Sequence, residues 1–313
     1  MTTTKAFVAG CVLLAALVVL ALSVGTQGFG WGDGGALVLL RSPRVLAALA
    51  AGLALGIGGA TQQGVFRNPL ADPGLTGVFG GALFGIALLL AIAPESAWQR
   101  AWFIPAAAFG GALGTSGLLA SVGNGGSPAR LLLTGLGLNA FTAAGTLVIA
   151  ARSGESRELL TNGAYGDWLG MATLELIWLP ALLCVLATVA ILPLARSLDL
   201  LSFGEDAARG FGCDVGGVRL KAVLLTALAA AAATCLVGQV AFIGLLAPHL
   251  ARALVGPRHG KMLPFSALIG AALLLGADTV GRGLWPRSPL SAAAVTAVLG
   301  APLFIWIARG RHE

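Results

Sequence analysis

The chain has 313 residues, 57% of them hydrophobic and 10% charged, with a mean hydropathy of +0.91. Soluble domains carry about 25% charged residues, so this composition excludes a water-soluble enzyme, a disordered chain and a disulfide-stapled secreted scaffold. The net charge of +6 is scattered without a dense basic stripe, which excludes a nucleic-acid surface and fits basic loops beside membrane spans.

A helix needs about 20 apolar residues to cross a bilayer core. The first charge-free stretch is 6–32. Its apolar run from Ala6 to Val24 is longer than a signal-peptide core, and no small-residue cleavage site follows, so it reads as a retained span. Arg41-Ser42-Pro43-Arg44 then leads into the second stretch, 45–66. A turn-rich connection from Asn68 to Gly74 precedes 73–94, and 101–129, 131–151 and 176–195 follow. Between 198 and 217 the chain is charged, and Glu205 and Asp206 stand ahead of Arg209 with Gly210 and Gly212 behind. This pattern predicts a short helix with acids at its start and a glycine stop. Such a helix is either a partner surface or a solvated connector. The next stretch, 222–251, is too long for one span and is broken at Gly238-Gln239 and Pro248-His249. It is read as one helix ending near Val237 and another over 240–255. Stretches 262–277 and 288–308 complete an all-α architecture of about ten membrane helices in one transmembrane domain, 1–313.

With the N-terminus in the cytoplasm, twelve basic residues fall on the cytoplasmic side against seven outside, and the C-terminus returns to the cytoplasm. Arg41, Arg44, Arg282 and Arg287 are among the seven. Their plain reading is snorkelling at the interface, with Arg282 paired to Asp278 four residues earlier.

Chemistry is sparse. Cys11, Cys184, Cys213 and Cys235 share no close spacing, and His249, His259 and His312 complete no metal pattern with them, so no metal site is expected. No cluster of titratable groups suggests catalysis. Gly256-Pro257-Arg258-His259-Gly260-Lys261-Met262 lacks the spacing of a phosphate loop, so no nucleotide site is expected either. A secondary transporter would need ion-coordinating residues near the midplane, and none stand out. Glycine pairs Gly52/Gly56, Gly77/Gly81, Gly81/Gly85 and Gly110/Gly114 predict close helix packing within the chain.

Several segments together resemble the permease subunits of type II ABC importers for iron chelates, haem and cobalamin. They are Arg41–Arg44, Gln63–Gly74, Gly204–Arg209, Gly238–Arg252, Leu263-Pro264, Ala277-Asp278 and Leu299–Phe304, in consistent order over about 40–309. Gln239, where the family commonly has proline, and Ser288-Pro289-Leu290-Ser291 depart from its pattern. The resemblance implies ten helices per subunit and a second permease subunit, as homodimer or heterodimer. It also implies a cytoplasmic ATPase dimer that holds the ATP and Mg, and an extracytoplasmic binding protein. The implied location is the bacterial inner membrane. Gly204, Glu205, Asp206, Ala207, Ala208, Arg209 and Gly212 become the ATPase-coupling segment. Arg41, Arg44 and Arg282, with Arg287 beside them, become the docking residues for carboxylates of the binding protein. Asn68, Pro69, Leu70, Gly123 and Asn124 lie at cytoplasmic helix ends where a gate is expected, though ordinary turns also explain them. The implied cargo is an iron chelate, ferric siderophore ahead of haem and haem ahead of cobalamin.

Overall fold

The computed structural model describes residues 3–25, 28–30, 35–93, 102–123, 128–152, 168–285 and 289–309. The helices are α1 (Thr3–Ser23), α2 (Ala36–Phe66), α3 (Val78–Ile92), α4 (Phe103–Gly123), α5 (Pro128–Arg152) and α6 (Leu174–Ile191), then α7 (Ala195–Ser202) and α8 (Glu205–Gly210). They end with α9 (Val215–Val237), α10 (Ile243–Val255), α11 (His259–Leu284) and α12 (Ala292–Arg309). Among the described residues, six helical stretches are long and apolar enough to cross a membrane and four more are shorter apolar helices. The one sheet among them is a two-stranded bridge of β1 (Val24–Gly25) and β2 (Gly28–Phe29), with Val24 opposite Phe29.

The bundle is built around α2, which packs against α11, α9, α6 and α10. In the most apolar window of α2, 83% of residues are buried, against 11% in α1 and 11% in Leu133–Arg152, so α2 is the hub and the latter two are edges. Leu133, Phe141 and Leu147 on α5 face outward, as a lipid-solvated surface permits. Small residues set the hub's spacing. A Cβ added to Gly52 would lie 2.6 Å from the Ala271 Cα, and one on Gly270 would run into the Gly52 carbonyl. Gly81 and Gly85 likewise meet Gly111 and Ala107 of α4, whereas a Cβ on Gly110 or Gly114 meets nothing within 4 Å among the described residues. Gly270→Val is therefore expected to cost about 1–3 kcal/mol, read as a lower melting midpoint in detergent, whereas Gly110→Ala should not lower that midpoint.

Helix boundaries differ from the charge-free stretches at three places, each for a physical reason. Arg41 and Arg44 lie inside α2, and Asp278 and Arg282 inside α11, because Asp278 receives Arg44 and Arg282 while backbone carbonyls receive Arg41, so these charges need not end a helix. Pro43 is tolerated there because the Ser42 hydroxyl donates to the Leu39 carbonyl at 3.0 Å, an acceptor for which Pro43 has no N–H. Pro248 lies inside α10 and does not break it; the break between α9 and α10 is made by Gly238 (φ 68°) and Phe242 (φ 69°). Leu198–Ser202 is helical, with Leu198 and Leu201 buried, since only a 3-10 turn at Leu192–Leu194 separates α6 from α7.

Candidate functional site

Two ends of the α2 hub carry charge. At one end Asp278, with no exposed surface, receives two arginines. Arg44 donates from Nε at 2.9 Å and from its terminal nitrogen at 2.6 Å to Oδ1, and Arg282 donates from Nε to Oδ2 at 3.0 Å. Arg282 also donates to the carbonyl of Val24 at 2.7 Å and to that of Ala21 at 3.3 Å. Arg41 donates to the carbonyls of Leu22 and Gly30, both at 2.8 Å. Gly25 leaves room for it, since a Cβ there would lie 2.6 Å from the Arg41 Nε.

These side chains do not form an exposed rim: Arg41 is 8% exposed and Arg282 is 2% exposed. They line a cavity of about 190 Å3 together with Gly25, Leu37 and Gly170. Of the three guanidinium groups there, Arg44 and Arg282 share one carboxylate and Arg41 is held by backbone carbonyls. A partly desolvated guanidinium holds a carboxylate by two parallel hydrogen bonds more firmly than one at a wet surface. The predicted i,i+4 pair of Asp278 and Arg282 is present, and the longer-range partner Arg44 was not anticipated. Arg287 lies outside the described residues.

At the other end stands α8. Gly204 (φ 107°) turns the chain into it and Gly212 (φ 78°) turns the chain out, both in a conformation suited to glycine. Arg209 donates to Glu205 and to Asp206, each at 3.1 Å. Glu205 also pairs with Arg219 of α9, which ties the short helix to a spanning one. Ala208 is buried beneath, while Asp206 points wholly into solvent. Phe203 and Phe211 flank α8 with 74% and 72% of their surface exposed. Motif reading passed over this aromatic pair. The available signal was two phenylalanines bracketing an otherwise polar segment.

Partial burial pushes the Glu205 carboxyl up, but the Arg219 hydrogen bond and the charges of Arg219, Arg209 and Arg67 outweigh it. The net effect holds the group below its ordinary value of 4.5. The contribution to stability is thus complete above pH 4.5 and is lost as pH falls through the lowered value. Amide exchange in α8, corrected for its intrinsic rate, should rise on acidification in the wild type and show no such step in Glu205→Gln.

The residues assigned to a gate are divided. Asn68 closes a compact turn after α2, its Oδ1 accepting from the Leu70 N–H at 2.9 Å, with Pro69 between them. Arg67, next to this turn, reaches Gly204, so the turn lies at the α8 end. Gly123 ends α4, and Asn124 lies outside the described residues. Deeper in, Gln62 of α2 donates to Thr226 of α9 at 3.3 Å, and Asn139 of α5 donates to the Gly74 carbonyl at 2.6 Å. This buried polar connection between α2, α9, α5 and the 73–76 turn was not singled out from sequence. Gln62 within an apolar run was the available sign.

Residues 11–310 match the family described as the FecCD transport family. The chain is 41% identical to the ferric enterobactin transport system permease protein FepD of Escherichia coli K12, covering 86% of this chain and 80% of that protein. It is 35% identical to the hemin transport system permease protein HmuU of Yersinia pestis, over 88% of this chain and 83% of that protein. Among solved structures, an inward-facing one assigned to the metal-chelate type of ABC transporter superposes with a TM-score of 0.89. Its sequence identity is 27%, and the match covers 98% of this chain and 99% of that one.

Proposed function

The chain belongs to the FecCD transport family, and from this premise we infer that it is the membrane permease of an ATP-driven importer whose cargo is a ferric siderophore. It is a multi-pass membrane protein and a transport component, with no reaction of its own on the cargo. The observation that carries the reading is the pairing of two dissimilar charged ends on one hub helix: a sunken arginine cavity at one, and a helix bracketed by exposed phenylalanines at the other. The first suits acidic lobes of a binding protein outside the cell. The second suits a cleft in a cytoplasmic ATPase dimer, which supplies ATP and Mg. A second permease subunit completes the path, and both termini lie in the cytoplasm. Siderophore stands ahead of haem because the enterobactin permease is the more similar of the two relatives.

Movement of the ATPases reaches the spans through two covalent or ionic links. The α7 helix continues α6, and the Glu205–Arg219 pair joins α8 to α9, which packs on α2. A push on α8 is thus delivered to the hub, and the bundle shifts between outward and inward openings. Reversing the exposed charges, Asp206→Arg with Arg209→Glu, should lower ATP-driven uptake on the order of tenfold while leaving permease abundance unchanged. Normal uptake by that variant would remove α8 from the coupling path.

A further inference from the structure

Where α2 ends and α11 begins, beside α7, lies a cavity of about 610 Å3 that shares Phe203 with the proposed ATPase contact but whose basic wall the transport reading leaves without a role. Its wall carries three guanidinium groups, Arg67, Arg252 and Arg258, against one carboxylate, Asp199. Asp199 is committed elsewhere: its Oδ1 accepts from the His259 backbone N–H at 2.8 Å and lies 2.8 Å from the His259 Nδ1. Arg252 donates to the Gln63 Oε1 at 3.0 Å. The Gln63 amide nitrogen, in a residue only 4% exposed, then has no hydrogen-bond partner among the described residues. The N-terminus of α11 lies beside the same wall; its N-cap Arg258 makes no side-chain capping bond, and Asp199 takes its first N–H.

Three guanidinium groups and the unpartnered Gln63 amide nitrogen therefore share a wall whose one carboxylate is already bonded to His259. Like charges on a concave wall repel unless an anion joins them, and a helix N-terminus adds to that field. A carboxylate offers two oxygens in one plane. A phosphate group offers its oxygens tetrahedrally and can meet guanidinium groups arriving from α2, α10 and the α10–α11 turn at once. We propose that this cavity binds a phosphate group, delivered by the headgroup of an anionic lipid or by a soluble phosphate. The ends of spanning helices lie at the depth of lipid phosphates, which places both sources within reach.

The test uses the assembled permease–ATPase complex in detergent, stripped of lipid. It is titrated separately with phosphatidylglycerol, phosphatidylcholine and inorganic phosphate. Native mass spectrometry counts bound lipid, and amide exchange over 63–67 and 256–262 reports occupancy. Protection by phosphatidylglycerol well below the concentration needed for phosphatidylcholine, with inorganic phosphate silent, assigns the lipid source. Protection by inorganic phosphate assigns the soluble one. Either way, Arg67→Gln with Arg258→Gln should weaken binding by about tenfold per arginine, and the charge-preserving Arg67→Lys with Arg258→Lys should keep most of it. Should the glutamine variant fail to fold, the wild-type titrations and the lysine variant still decide. No protection of the wild type by either anionic probe overturns the proposal, as does undiminished binding by the glutamine variant. The readout is ligand binding, so its failure leaves the transport reading untouched.

Discussion

Asp278→Ala is expected to remove most of the folded permease from the membrane. The substitution leaves the buried Arg282 and the part-buried Arg44 without their shared carboxylate, and breaking a buried ion pair from one side costs about 3–5 kcal/mol. That is a large part of the roughly 5–15 kcal/mol that holds a typical domain together. The yield of monodisperse protein and the melting midpoint in detergent both report it. Replacing the whole cluster with apolar side chains, Arg44→Met with Asp278→Leu and Arg282→Met, should restore much of that loss, because no uncompensated charge remains among the three. The restored protein should nevertheless capture the binding protein more slowly, and with a flatter salt dependence, than the wild type does. An Asp278→Ala permease that melts with the wild type would show that the cluster does not support the fold. A restored variant that captures the binding protein at the wild-type rate would move docking elsewhere.

The second large effect is expected from Phe203→Ser with Phe211→Ser. Both rings are mostly exposed, so their loss should leave the permease fold and its melting midpoint intact. Buried aromatic anchors at an interface cost about 2 kcal/mol or more when truncated, so the pair should weaken ATPase affinity by at least about a hundredfold. Co-purification in detergent would then fail at dilutions where the wild-type complex persists. Retention of the ATPase at wild-type affinity would mean that the aromatic pair faces something else.

Much of the architecture was legible because a membrane helix needs a long apolar run and little else. The break between α9 and α10 was visible in Gly238, and the short α8 in the order Glu205, Asp206, Arg209, Gly210. Helix ends were misjudged wherever a charge sits inside a helix. A charge-free window stops at Arg44 and at Asp278, yet these two residues lie 234 apart in sequence and meet in the fold. No local pattern encodes that meeting. Pro248 misled for a related reason: proline reads as a break in sequence, whereas the left-handed Phe242 opens the helix six residues earlier. The functional ends were partly readable. The four arginines stood out as charges on the sparse side, but the burial of Arg41 and Arg282 beside a cavity depends on the carbonyls of Leu22, Val24 and Gly30 curling over them. The cavity walled by Arg67, Arg252 and Arg258 joins the distant segments 63–67, 199–203 and 252–262, so no motif could reveal it.

The central claim is ATP-driven movement of an iron chelate, and reconstitution tests it most directly. The permease is placed in proteoliposomes with its ATPase, with the binding protein and radiolabelled ferric siderophore, haem or cobalamin on the side of the arginine cavity. Uptake is expected to require ATP and the binding protein, to be greatest for the siderophore and to be abolished in a catalytically dead ATPase. Uptake driven by a proton or sodium gradient without the ATPase, or no uptake of any of the three chelates by the complete assembly, would contradict it.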